Sequence, residues 1–230
     1  MMFKQLFDPV SSTLTYLIGD DASKEAVIID PVAEQSARDL ALLTTLGLKL
    51  VCILDTHVHA DHVTGAAALK AATGAPAAVG MACEAPGYER QLVGGDRITF
   101  GNEVIYVIAT PGHTPGSLTF HWRDRLFTGD ALLIGGCGRT DFQNGSAGQL
   151  YSSITGNVFT LPDETLVYPA HDYKGRRVSS VGEEKLLNAR FAGKTREEFI
   201  KLMAALDLPR PKLIDVAVPA NKRAGESHAA

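Results

Sequence analysis

Cysteine is scarce in this chain: Cys52, Cys83 and Cys137 are the only three in 230 residues. An odd number with no paired spacing argues against a disulfide framework and suggests a reducing compartment, the cytoplasm. An excess of positive charge is lacking too. The 22 lysines and arginines are outnumbered by 26 aspartates and glutamates, for a formal net charge of −4. That balance leaves no electrostatic footprint for nucleic acid or for an anionic lipid surface. No apolar run approaches the ~20 residues that span a bilayer, so no membrane role is expected. The N-terminal stretch reaches Asp8 and Pro9 too early to read as a secretory signal. Histidine is also rare, at seven residues, which makes its placement informative.

What is present is an ordinary globular composition, 45% hydrophobic and 21% charged, able to bury a core. Leu14–Ile18 and Ala26–Ile29 are apolar runs ending in turn signals and predict an early hairpin. Ala37, Leu40, Ala41, Leu43 and Leu46 fall at helical spacing over residues 33–46, closed by Gly47. A strand at 49–54 and an alanine-rich helix from about 62 to 72 follow, the helix stopping at Gly74. Further strands are expected at Ala77–Val79, Ile98–Phe100, Val104–Ile108, Leu118–Phe120, Leu126–Phe127 and Leu166–Tyr168. Helices are expected at about 147–157, 181–189 and 195–206, before a tail carrying Pro209, Pro211 and Pro219. No linker divides the chain. The reading is one α/β domain over 1–230, its C-terminal segment from about 178 helical and extended, with mixed sheets covered by helices.

His57, His59 and His62 fall within six positions, together with Asp61, directly after the apolar run Leu50–Leu54. Imidazole and carboxylate are the side chains that hold transition metals, and a strand feeding a loop fixes their geometry. Three later segments repeat the pattern of a strand end entering a polar loop. They bring His113 after Val107–Ile108, Asp130 after Leu126–Phe127, and His171-Asp172-Tyr173 after Leu166–Tyr168. Five of the seven histidines are thereby accounted for. His121 and His228 fall outside the pattern and are assigned surface or structural roles.

This ordered set, beginning His57-Val58-His59-Ala60-Asp61-His62, resembles the metallo-β-lactamase superfamily over about residues 12–175. The resemblance implies an αββα sandwich: two mixed β-sheets face to face, helices outside, and metal at one edge. Superfamily membership leaves the reaction open. Seven ligand positions could hold two zinc ions that activate water: one at His57, His59 and His113, the other at Asp61, His62 and His171, with Asp130 bridging. Alternatively His57, His113 and Asp130 form a two-histidine, one-carboxylate face with open positions, the arrangement of non-haem Fe(II) oxygenases.

Further motifs bear on that choice. Asp55 to Gly65, Gly136-Cys137-Gly138-Arg139-Thr140-Asp141-Phe142-Gln143, His171-Asp172-Tyr173 and Val218-Pro219-Ala220-Asn221 resemble the persulfide dioxygenases over nearly the whole chain. That resemblance implies one Fe(II) per chain on His57, His113 and Asp130. His59, Asp61, His62 and His171 would then orient ligands or waters. It implies oxidation of glutathione persulfide by O₂ and water to sulfite and glutathione, and suggests a homodimer. Tyr173, Asp172 and His59 are candidate catalytic groups beside the metal. Arg139 and Arg190 are candidates to fork onto glutathione carboxylates, with Tyr173 a further substrate contact. Cys137 is read as packing.

The alternative is a glutathione thiolester hydrolase resembling glyoxalase II, with two metals. Against it, Val58 stands where that family usually carries histidine, and the chain after His171 is short for its helical substrate domain. A non-enzymatic structural metal module is disfavoured because such sites are closed and usually cysteine-rich.

Overall fold

The computed structural model describes residues 1–226, so His228 lies outside the described residues. Leu14–Gly19 (β2) and Glu25–Ile29 (β3) pair antiparallel, which is the hairpin the sequence predicts. Met2–Phe7 (β1) adds to the other side of β2, a strand the sequence reading did not anticipate. Lys49–Leu54 (β4), Ala77–Gly80 (β5) and Arg90–Leu92 (β6) extend the sheet by parallel pairing, in the order β1-β2-β3-β4-β5-β6. The second sheet contains Arg97–Phe100 (β7), Glu103–Ala109 (β8), Leu118–Trp122 (β9), Arg125–Gly129 (β10), Leu166–Pro169 (β11) and Ser179–Ser180 (β12). Its order is β12-β11-β10-β9-β8-β7, antiparallel except where β10 and β11 run parallel.

The sheets pack face to face because their strands carry apolar side chains on both sides. In β2, Leu14, Tyr16 and Ile18 point between the sheets against Phe120, Trp122 and Phe127. Leu17 points outward, where Ser36–Leu46 (α1) and Ala66–Thr73 (α2) cover it with Leu43 and Leu69. On the far side, Leu126 and Val167 are covered by Leu150 of Ala147–Ser153 (α3), Val181 of Val181–Leu187 (α4) and Phe199 of Arg196–Ala204 (α5). Full burial of one such side chain contributes about 1.5–3 kcal/mol, so the layer between the sheets and the two layers under the helices all contribute to holding the fold. Two mixed sheets with helices outside are the αββα architecture.

Three local expectations need correction. The helix predicted from about residue 62 begins at Ala66, because the preceding backbone serves other partners: Gly65 N donates to Pro31 O, and Thr64 N to Asn221 Oδ1. The helix predicted over 147–157 is α-helical only to Ser153 and continues as a π turn, Ile154–Val158. The proline-bearing tail contains a helix, Ile214–Asn221 (α6), with Pro219 inside it. The loops that follow β4, β8, β10 and β11 emerge at one edge of the sandwich and meet there.

Candidate metal centre

His57 lies three residues beyond β4 and is 1% exposed. Its Nδ1 is 3.0 Å from Thr56 Oγ1, and that hydroxyl donates to Asp30 Oδ2 at 2.9 Å. A carboxylate can only accept, so the Thr56 oxygen accepts the His57 Nδ1 proton and leaves Nε2 bare. Asp30 also accepts from Thr56 N at 2.7 Å. Asp30 occupies the left-handed region, φ +51, a conformation uncommon outside glycine that its side-chain bonds hold in place.

His113 follows β8, and its Nδ1 donates to the Arg139 carbonyl at 2.6 Å. It too offers Nε2, which lies 3.7 Å from Asp130 Oδ2. Asp130 follows β10, where Gly129 sits at φ +55, and a Cβ there would stand 2.6 Å from Thr56 Oγ1. Only glycine lets the two strand ends approach this closely. His57, His113 and Asp130 each bring a ligand atom within 4.8 Å of the others. Two neutral imidazole nitrogens and a carboxylate oxygen, their outer atoms already hydrogen-bonded, fit a divalent transition metal.

The rest of the cluster is differently engaged. His171 Nδ1 lies 2.7 Å from Asp130 Oδ1, and its Nε2 lies 2.9 Å from Asp61 Oδ2. Burial pulls the His171 pKa down, but the two carboxylates outweigh it and raise it well above the ordinary value. For Asp61, burial opposes ionisation, yet His171 and His62 hold the carboxyl well below its usual range. His59 Nε2 contacts Asp30 Oδ1 at 3.1 Å, with Asp55 Oδ1 at 3.8 Å. Burial lowers the His59 pKa, but those acids raise it to about 9. Burial is the main cause that lifts Asp55 to about 6. His57 is pushed well below the imidazole range by burial first and then by its histidine neighbours. His59, Asp61 and His62 form a second compact group, and buried His59 Nδ1 and His62 Nε2 have no hydrogen-bond partner among the described residues.

A cavity of about 390 Å³ opens over the three-residue face. His57, Asp61, His113, Asp130 and His171 form its polar floor, and Leu133, Phe142, Leu208 and Pro209 supply apolar wall. Tyr173 lines it too, its ring parallel to that of His171 at 6.0 Å. Arg139 lines the cavity, but its guanidinium is engaged by Asp141 and by the carbonyls of Leu208 and Pro209. Asp172 does not line it. Its carboxylate accepts from the backbone of Lys174 and Arg176, tying a turn. Arg190 is also off the cavity, its backbone N–H held by Asn188 Oδ1. Cys137 lines the wall with its thiol pushed up to about 12 by burial, the position of a packing residue. His121 sits within β9 beside Tyr106, away from the cluster.

Sequence reasoning missed Asp30, Thr56 and Thr13. Thr13 Oγ1 stands 3.3 Å from His62 Nδ1 and 3.2 Å from His171 Nε2. Asp30 carried a signal, an acid at a strand end before proline. Thr13 carried none.

The fold and the convergent histidines and aspartates define the class. The model of the metallo-beta-lactamase superfamily matches residues 8–171, and the chain belongs to that superfamily. Among curated proteins, the chain is 49% identical over 227 residues to the mitochondrial persulfide dioxygenase ETHE1 of Homo sapiens, covering 98% of this chain and 89% of that one. A crystal structure of ETHE1 from Myxococcus xanthus superposes with a TM-score of 0.96 at 57% identity, covering 98% of this chain and all of that one. The hydroxyacylglutathione hydrolase of Rhodospirillum rubrum is more distant, 38% identical over 169 residues, 71% of this chain and 64% of that one. Within the superfamily, this chain groups with the ETHE1 proteins.

Proposed function

We propose that this chain is a non-haem Fe(II)-dependent persulfide dioxygenase, converting glutathione persulfide, O₂ and water to sulfite and glutathione. The observation that carries the reading is near-full-length similarity to proteins named persulfide dioxygenases. His57, His113 and Asp130 would hold the iron. When bound, the metal supplies open coordination positions for an anionic sulfur and for O₂, and the electronic coupling between them.

The chain's own residues do the rest. Thr56 and the Arg139 carbonyl fix both histidines in the tautomer that presents Nε2. His171 occupies one oxygen of Asp130 and leaves the other for the metal. Leu133, Phe142 and Leu208 give the cavity an apolar wall, which would disfavour water beside the metal. Tyr173 stands at the cavity with a hydroxyl able to donate to substrate. Of the two arginines, Arg139 is the better placed to meet a glutathione carboxylate, by exchanging it for Asp141.

One metal is what the persulfide dioxygenase resemblance implies, with His171 then orienting Asp130 through Nδ1 and Asp61 through Nε2. The unpartnered His59 Nδ1 and His62 Nε2 favour the second reading, a two-metal thiolester hydrolase of the glyoxalase II type. Among the described residues no helix is long and apolar enough to cross a membrane. The three free cysteines support the cytoplasm as compartment. A single domain is supported by the core that Val181, Phe191 and Phe199 share with Leu126 and Val167. The homodimer suggested by the family resemblance is checked by sedimentation.

Protein purified without oxygen and loaded with Fe(II) should consume O₂ on glutathione persulfide and leave S-lactoylglutathione intact. Brisk thiolester cleavage without O₂ uptake would transfer the assignment to the hydrolase.

A further inference from the structure

The loop His57–His62 has little regular structure to hold it. Among the described residues its backbone groups make no backbone–backbone hydrogen bond, the flanking tethers being Thr56 O to Leu118 N and Val63 O to Ala33 N. Side chains supply the missing partners. Gln143 Nε2 donates to Val58 O at 2.8 Å. The larger contribution comes from a single residue at the end of α6.

Asn221 is fully buried. Its Nδ2 donates to His59 O at 2.9 Å and to His62 O at 2.8 Å, while Oδ1 accepts from Thr64 N at 2.8 Å. The orientation of the carboxamide follows from the partners: two carbonyls can only accept and an amide N–H can only donate. One planar group, about 160 residues distant in sequence, thus grips the segment that carries His59, Asp61 and His62 at both ends. The turn after α6 is fitted closely against the same region. Gly225 approaches Thr64 so tightly that a Cβ would stand 2.4 Å from Thr64 O, and Ala224 O accepts from Ala67 N at 2.9 Å.

We propose that Asn221 is a positioning residue for the metal centre, clamping the His57–His62 loop so that the C-terminal helix sets the ligand geometry. This rests on the metal reading above, and it adds α6 to the machinery of a site whose ligands all precede residue 172. Removing the two N–H donors leaves two buried carbonyls without partners, a change that relaxes the loop and with it His57. Outer groups that orient metal ligands typically change affinity about 10–100-fold when lost.

The test compares Asn221→Asp with Val218→Ala in the full chain. The first is isosteric, keeps an acceptor for Thr64 and sets a carboxylate oxygen against two carbonyls. The second trims an apolar side chain of α6 that packs against the helix-covered core and has no hydrogen-bonding group to offer the loop. Fe(II) release is followed without oxygen by a coloured chelator, with folding monitored by circular dichroism. Asn221→Asp is expected to fold and release Fe(II) about 10–100-fold faster, with kcat reduced and KM unchanged. Val218→Ala is expected to lower the melting temperature with wild-type release. Asn221→Ala, whose cavity admits water to the carbonyls, serves as a second variant and should also release faster. Wild-type release rates in folded Asn221 variants would overturn the clamp. So would failure of both variants to fold, because the role would then belong to the fold and not the loop. Wild-type protein that takes up no Fe(II) would instead overturn the metal reading.

Discussion

At the scale of single residues, the proposed metal site depends on side chains outside its three candidate ligands. Thr56 converts the acceptor Asp30 into a means of fixing the His57 tautomer. Thr56→Val keeps the shape, removes the acceptor for His57 Nδ1 and leaves Asp30 Oδ2 short of a partner. It should weaken Fe(II) binding about 10–100-fold by chelator competition and cost about 1–3 kcal/mol of stability in urea unfolding. His113→Ala should lose metal and O₂ uptake while its circular dichroism stays that of the wild type, whereas a structural site would lose its fold. Cys137, with its thiol pushed up to about 12, should resist alkylation by iodoacetamide near neutral pH, since the thiolate is the nucleophile. Rapid modification of Cys137 in the folded protein, read by mass spectrometry, would contradict the packing role.

At the scale of elements, the sequence disclosed the ligand loops because chemistry and strand ends coincide there. His57, His113, Asp130 and His171 each follow a run whose apolar pattern marks a strand, so their convergence could be inferred before the fold was known. It did not disclose the supports. Asp30 looks like any turn acid, and Thr13 like any loop hydroxyl, because their partners lie on other elements. α2 starts later than the sequence suggests for a related reason: tertiary hydrogen bonds claim the backbone of residues 63–65, and Val63, Thr64 and Gly65 are themselves weak helix formers. β1 pairs with a hairpin edge and is only half buried, so its periodicity is weak. α6 hides behind Pro219.

The ends of β3 and β4 also place Asp30 and Asp55 against His59, which gives a pH dependence with a definite sign. The His59 folded-state pKa of about 9 lies above its ordinary 6.5. Its contribution to stability is therefore fully present below pH about 6.5 and is lost as pH rises through about 9. Asp55, raised to about 6, has its own loss complete below that window. The melting temperature of metal-stripped protein should fall between pH about 6.5 and 9.5. His171, raised by Asp130 and Asp61, adds to the fall, so Asp30→Asn should reduce it without abolishing it, and an equal fall in both proteins would contradict the pairing.

At the scale of the whole molecule, two sheets are brought together by a continuous aromatic and aliphatic core, and the candidate metal site joins their edges. His57 comes from the first sheet, while His113 and Asp130 come from the second. A ligand that binds only the folded state should stabilise it, by about 2.7 kcal/mol at a hundredfold excess over the dissociation constant. Differential scanning fluorimetry with and without Fe(II) reads that shift. The proposal that three residues hold one iron, sufficient for oxygen chemistry, is tested most directly by titrating Fe(II) into metal-stripped protein while recording O₂ uptake on glutathione persulfide. Uptake should rise linearly and stop at one equivalent per chain, with one sulfite formed for each O₂ consumed. Uptake that climbs to a second equivalent, or a fully loaded protein that consumes no O₂, would contradict it.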